Sequence, residues 1–138
     1  MTDAAATSAD IDPAPARVLV VEDDDNIATA LEYVISREGM VYDRLASGAG
    51  ALARIRDTRP DLVLLDIMLP EVSGYDICRD LRTDPGLSSV RVIMMTARGS
   101  ASEQKRVMEL GADGFVSKPF ELKFLRTEVH RVLSAAAN

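Results

Sequence analysis

Short apolar runs alternate along this chain with longer stretches in which apolar positions recur every three or four residues. Residues 18–21 (VLVV) and 62–65 (LVLL) are unbroken apolar runs, and each stops abruptly at acid: Glu22-Asp23 after the first, Asp66 after the second. Residues 90–95 (VRVIMM) form a third run, interrupted at Arg91 and closed by Thr96, whereas 41–45 and Phe115-Val116 are weaker. Between these runs the period changes to that of a helix. Ile27, Ala30, Leu31, Val34 and Ile35 share one helical face, with Asp25 or Asn26 as the cap and Gly39 as the stop. Ser47 starts a second helix carrying Ala49, Leu52 and Ile55 and ending before Pro60. Ser73 opens a third, with Gly74, Ile77, Cys78 and Leu81 on one face. A fourth runs over 100–110 to Gly111, and a fifth carries Leu122, Leu125, Val129 and Leu133.

Five strands thus alternate with five helices. Strands that lack polar alternation are buried on both faces, so the pattern predicts an α/β fold with a parallel sheet between two helix layers. Right-handed crossovers leave few topologies. In open sheets of this kind the active crevice lies beyond the carboxyl ends of the strands. Residues 1–16 (MTDAAATSADIDPAPA) have no apolar period and are expected to form a flexible tail. The folded unit is expected over 17–134, with 135–138 as a short C-terminal tail.

Composition narrows the function. The formal net charge of −6 argues against non-specific nucleic-acid binding, which depends on Lys and Arg replacing counterions on phosphate. One cysteine, Cys78, excludes an internal disulfide framework and fits a reducing compartment. No run reaches the roughly twenty apolar residues of a membrane span, and the N-terminus lacks the basic start and apolar core of a signal peptide. A soluble cytoplasmic protein without direct nucleic-acid or membrane contact is expected.

The strand ends gather Glu22, Asp23, Asp66, Thr96 and Lys118 at one crevice. Like-charged carboxylates about 4 Å apart repel by roughly 4 kcal/mol per pair at an effective dielectric near 20. Either some are protonated or a cation lies between them, and a cation is the better reading. Oxygen donors without nearby His or Cys select a hard ion, and so few carboxylates favour Mg²⁺ over Ca²⁺. A carboxylate can attack phosphorus and form an acyl phosphate, and Asp66, alone at its strand end, is the candidate nucleophile. Thr96 can donate to one phosphoryl oxygen and Lys118 can pair with another.

The segments VLVVEDD, LVLLDIMLP, Gly74, MMTAR and FVSKPF, in that order, resemble the receiver domains of bacterial two-component response regulators. The resemblance covers roughly 17–133 and implies the flavodoxin- and CheY-like strand order 2-1-3-4-5. It implies that Asp66 is the phosphoacceptor and that Glu22, Asp23, Asp66 and the backbone carbonyl of Met68 hold Mg²⁺. It makes Thr96 the switch hydroxyl, Phe115 the switch aromatic, Lys118 the site lysine, and the Lys118-Pro119 bond cis. The implied donor is a sensor histidine kinase or histidine phosphotransferase. Phosphorylation would reshape the face of the fourth helix, fifth strand and fifth helix, which controls an output protein or domain. The implied protein is a regulator, not an enzyme. Met68 and Arg98 stand two residues past Asp66 and Thr96, beside the attacking water's path, and imply slow self-dephosphorylation.

Gly114 and Phe115 depart from the OmpR/PhoB-like branch, which carries an acid and a Tyr there, so the salt-bridged dimer of that branch is not expected. The sequence stops within a few residues of the last helix, and either a stand-alone receiver or a fragment of a longer regulator is expected. Two other readings remain: a pseudo-receiver that binds partners without phosphate, and a haloacid-dehalogenase-type phosphohydrolase. The latter places a second Asp two residues after its nucleophile, where this chain has Met68. The remaining polar and soft residues have plainer readings. Asp24 is expected only to add negative field, Cys78 to act as a small buried hydrophobe, the methionines to pack, and His130 to lack a carboxylate partner.

Overall fold

The computed structural model describes residues 14–97 and 99–136, with no side-chain description at Ala136. Residues 1–13, most of the expected N-terminal tail, lie outside the described residues, as do Arg98 and 137–138. The elements run β1 (Arg17–Val21), α1 (Asp25–Arg37), β2 (Val41–Leu45), α2 (Ala51–Thr58), β3 (Leu62–Asp66), α3 (Gly74–Arg82), a 3₁₀ turn (Pro85–Leu87), β4 (Arg91–Thr96), α4 (Ala101–Glu109), β5 (Gly114–Ser117) and α5 (Leu122–Ala136). The sheet is parallel with strand order β2-β1-β3-β4-β5. This is the doubly wound α/β architecture that the alternation of elements and the resemblance imply.

The period-2 geometry of the strands divides the core in two. Leu19, Val21, Val63, Leu65, Val92 and Met94 point to one face, where Ile55 of α2, Ile77 and Leu81 of α3 and Val107 of α4 cover them. Val18, Val20, Leu62, Leu64, Ile93 and Met95 point to the other, under Leu31 and Ile35 of α1 and Leu125 and Val129 of α5. Every residue of β3 is buried, so Asp66 reaches the crevice from the middle of the sheet. Cys78 packs as the expected small hydrophobe, fully buried.

Four local expectations change. Asp24, not Asp25 or Asn26, caps α1: its backbone is extended and its Oδ1 accepts from Asn26 N at 2.8 Å and Ile27 N at 3.1 Å. Asp25 sits in the first helical turn and pairs with Arg44 at 2.9 Å. The second helix starts at Ala51, four residues later than Ser47 implied. Gly50 is left-handed with φ +77°, which no helix interior accepts, and Ser47 instead takes the Ala49 amide at 2.9 Å in a local turn. His130 of α5 does have a carboxylate partner: it meets Glu38 at the end of α1, across 92 residues of sequence. Helix α5 itself continues to Ala136, two residues past 134.

Candidate functional site

The site is built on the carboxyl ends of β1, β3, β4 and β5. Glu22 follows β1 directly and is fully buried; its amide donates to Leu45 O at 3.0 Å, which continues the ladder one step past the strand. Arg44 on β2 holds the same turn from the side, with Nε and Nη2 donating to the Glu22 carbonyl at 3.1 and 2.8 Å. Its third nitrogen pairs with Asp25, so one guanidinium fixes the direction of the acidic turn. Asp23 remains exposed at the mouth.

Asp66, only 3% exposed, ends β3 opposite Met95 of β4. Its Oδ1 accepts from the Met68 amide at 3.2 Å. Its Oδ2 lies 3.1 Å from Lys118 Nζ, and that ammonium also reaches Glu22 Oε1 at 2.7 Å. Lys118 is delivered by β5, whose end is drawn to β4 by the Lys118 N to Thr96 O bond of 2.6 Å, and the Lys118-Pro119 bond is cis. The turn after β3 closes under α3, where Ser73 caps the helix and Gly74 N donates to Ile67 O at 2.9 Å. Gly74 has to be glycine: a Cβ there would stand 2.2 Å from the Asp66 carbonyl oxygen.

The electrostatics follow from burial. Burial of Glu22 pushes its carboxyl above the usual carboxylate range, against the opposing pull of Lys118 and the Asp24 amide, and Asp66 adds repulsion. Burial also works against the charge of Lys118, but its hydrogen bonds to Glu22 and Asp66 prevail and hold the ammonium above its usual value. One ammonium therefore serves two buried carboxylates. A third, Asp23, offers an oxygen to the same place, and one ligand atom from each of Glu22, Asp23 and Asp66 lies within 4.8 Å of the others. The donors are all oxygen, which suits a hard divalent cation held by few carboxylates.

Thr96, 1% exposed, ends β4 as expected, but its hydroxyl donates to Glu103 Oε1 of α4 at 2.7 Å. Phe115 is buried with the face of the sheet that α2, α3 and α4 cover. Met68 is 73% exposed beside the site. Arg98, the other residue assigned to the water's path, lies outside the described residues. The sequence reading missed Arg44, Glu103 and Tyr75, whose hydroxyl donates to Glu103 Oε2 at 2.9 Å. Glu103 carried one weak signal: Ser100-x-x-Glu103 is a helix-start pattern, and Ser100 Oγ does accept from Glu103 N at 3.2 Å.

The chain is similar to several known proteins. A family model described as the response regulator receiver domain matches residues 18–130. The phosphate regulon transcriptional regulatory protein PhoB of Rhizobium meliloti is 40% identical over 120 residues, covering 87% of this chain and 53% of that protein. The DNA-binding response regulator MtrA of Mycolicibacterium smegmatis is 43% identical over 113 residues, covering 82% and 48%. The chain thus spans about half the length of the curated relatives it matches. Among solved structures, the signal receiver domain of a signal transduction histidine kinase from Syntrophus aciditrophicus superposes with a TM-score of 0.79 at 33% identity, covering 87% of this chain and 91% of that one. A CheY-like receiver domain protein from Methanospirillum hungatei JF-1 gives 0.80 at 26% identity, covering 90% and 98%. With the parallel 2-1-3-4-5 sheet and the acidic crevice at its strand ends, these likenesses establish that the chain belongs to the response regulator receiver domain family.

Proposed function

We propose that the chain is a phosphoacceptor that takes a phosphoryl group on Asp66 from a sensor histidine kinase or histidine phosphotransferase. The observation that carries this reading is the convergence of Glu22, Asp23 and Asp66 within 4.8 Å, with Lys118 bridging two of them. In the transfer a carboxylate oxygen of Asp66 attacks phosphorus. The bond from phosphorus to the donor nitrogen breaks, and its electron pair leaves with the donor imidazole. Lys118 offsets negative charge on the phosphoryl oxygens, and the Met68 amide holds Asp66 Oδ1 so that the carboxylate keeps one orientation. Mg²⁺, held by Glu22, Asp23, Asp66 and the Met68 carbonyl, would supply the charge neutralisation that three carboxylates and one ammonium lack.

Once phosphorylated, the site draws the Thr96 hydroxyl toward the new oxygens. Phe115 and the face made by α4, β5 and α5 repack, and an output protein or domain responds. The domain acts as a regulator, and its own hydrolysis of the acyl phosphate is slow because the exposed Met68 side chain cannot hold an attacking water. No described helix is long and apolar enough to cross a membrane, and the proposed setting is the cytoplasm.

The test is intact mass after incubation with acetyl phosphate, with and without Mg²⁺, for wild type and Asp66→Asn. A Mg²⁺-dependent gain of one phosphoryl mass in wild type alone is expected. No gain in any sample would favour a phosphate-independent binding module.

A further inference from the structure

Thr96 and Tyr75 stand on different elements, yet both give their hydroxyl protons to one carboxylate. Glu103 Oε1 takes Thr96 Oγ1 at 2.7 Å, and Oε2 takes Tyr75 Oη at 2.9 Å. Both bonds run from a hydroxyl to a carboxylate oxygen and are short. Ser100 caps α4 and accepts from the Glu103 amide, so the carboxylate projects from a fixed first turn. One turn further along α4, the Arg106 guanidinium stacks 3.9 Å from the centre of the Tyr75 ring. The cluster ties the start of α3 to the start of α4 and to the end of β4. Tyr75 immediately follows Gly74, which rests on the Asp66 backbone.

We infer that Glu103 is a positioning residue, a carboxylate latch that holds the Thr96 hydroxyl toward α4 and is released when a phosphoryl group on Asp66 claims that hydroxyl. The reason is stoichiometric. A threonine hydroxyl carries one proton, so it donates to Glu103 or to a phosphoryl oxygen, not to both. Whatever the Thr96–Glu103 bond contributes to the resting state is therefore lost from phosphoryl binding. By linkage, phosphorylation weakens the latch by the same factor. Its opening removes one of the two hydroxyls that donate to the Glu103 carboxylate in the first turn of α4, so the signal passes from Asp66 to α4 through Thr96 and Glu103. This inference rests on the receiver reading above and adds the residue that sets the threshold of the switch.

Calorimetric titration with beryllofluoride plus Mg²⁺, a stand-in for the phosphoryl group, tests the latch in wild type, Glu103→Ala, Glu103→Gln, Thr96→Ala and the Glu103→Ala/Thr96→Ala pair. Glu103→Ala is expected to bind about tenfold tighter, equivalent to about 1.4 kcal/mol. Glu103→Gln, which keeps the volume and a weaker acceptor, should gain less; it carries the test if the alanine variant fails to fold. In the Thr96→Ala background the gain should vanish. A gain that persists there would mean that Glu103 acts only as a nearby negative charge, and the latch would be wrong. It would be equally wrong if neither Glu103 variant binds more tightly than wild type. Should wild type fail to bind beryllofluoride any better than Asp66→Asn does, the receiver reading itself falls and the latch with it.

Discussion

Replacing Gly74 by alanine tests whether the turn after β3, which carries the proposed acceptor Asp66, is held by direct backbone packing. The new Cβ would lie 2.2 Å from Asp66 O, 2.8 Å from Ile67 Cα and 3.0 Å from Asp66 C, all backbone atoms that no rotamer change can clear. Ordinary carbon–oxygen contact is a little over 3 Å, so α3 and the turn after β3 must separate by about 1 Å. Overpacking of this kind costs about 3 kcal/mol at the upper end of its usual range. The separation also stretches the 2.9 Å bond from Gly74 N to Ile67 O, a loss of about 1 kcal/mol. The better helix propensity of alanine returns at most about 1 kcal/mol. The net is about 3 kcal/mol, which for a domain of this size lowers Tm by roughly 10 °C. Gly50→Ala provides the contrast. Its Cβ meets nothing within 4 Å and suffers only from φ +77°, so it should cost about 1 kcal/mol. Thermal unfolding by circular dichroism, with acetyl phosphate uptake measured well below both midpoints, separates the two. Gly74→Ala should lose uptake while Gly50→Ala keeps it. A Gly74→Ala midpoint within about 2 °C of wild type would refute the packing argument, since that corresponds to well under 1 kcal/mol.

Three more consequences follow from the geometry. Arg82 donates to Gly111 O at 2.7 Å, Val90 O at 2.8 Å and Asp113 Oδ2 at 2.7 Å, so Arg82→Ala should cost about 3 kcal/mol by urea unfolding; a loss below about 1 kcal/mol would show these carbonyls satisfied by water. The hydrogen bond from Arg131 holds the Glu128 carboxyl below its usual value, aided by the Phe115 amide and opposed by burial. A depressed carboxylate contributes stability that is present above its unfolded pKa and lost as pH falls through the lower folded one. Arg131→Ala should therefore flatten the acid limb of the stability–pH curve below about pH 4.5, and an unchanged limb would count against it. Met68→Asn places an amide able to hold water beside Asp66 and should shorten the phosphoprotein lifetime; an unchanged decay rate of the phosphorylated mass would sink that idea.

The sheet was legible because its inner strands must be apolar on both faces, and that demand writes unbroken runs such as LVLL ending in Asp66. The rule that crevices open at carboxyl ends then places Glu22, Asp66 and Lys118 together without any structure. β2 was harder to see: as an edge strand it can carry Asp43 and Arg44, and Arg44 proves to be what holds the Glu22 turn. Caps were ambiguous for a different reason. Asp24, Asp25 and Asn26 can all cap, and the choice falls to the extended backbone at Asp24, a property of how the chain leaves β1. Ser47 was an attractive helix start until Gly50 turned left-handed after it.

What stayed hidden are pairings between residues far apart in sequence. His130 and Glu38 lie on separate helices that meet only because both cover the same face of the sheet. Glu103 is the more instructive case, since Ser100-x-x-Glu103 already has a sufficient local explanation as a helix start. Its carboxylate reaches Thr96 and Tyr75 because the sheet order seats α4 beside β4 and α3, and no local pattern encodes that neighbourhood. Backbone periodicity therefore locates Asp66 and the charges around it, whereas the carboxylate that holds the Thr96 hydroxyl is a tertiary property. Under the proposed latch, a receiver with the same strand-end residues but no hydrogen-bond acceptor at the position of Glu103 would take a phosphoryl group by the same proposed chemistry and be held less firmly in its resting state.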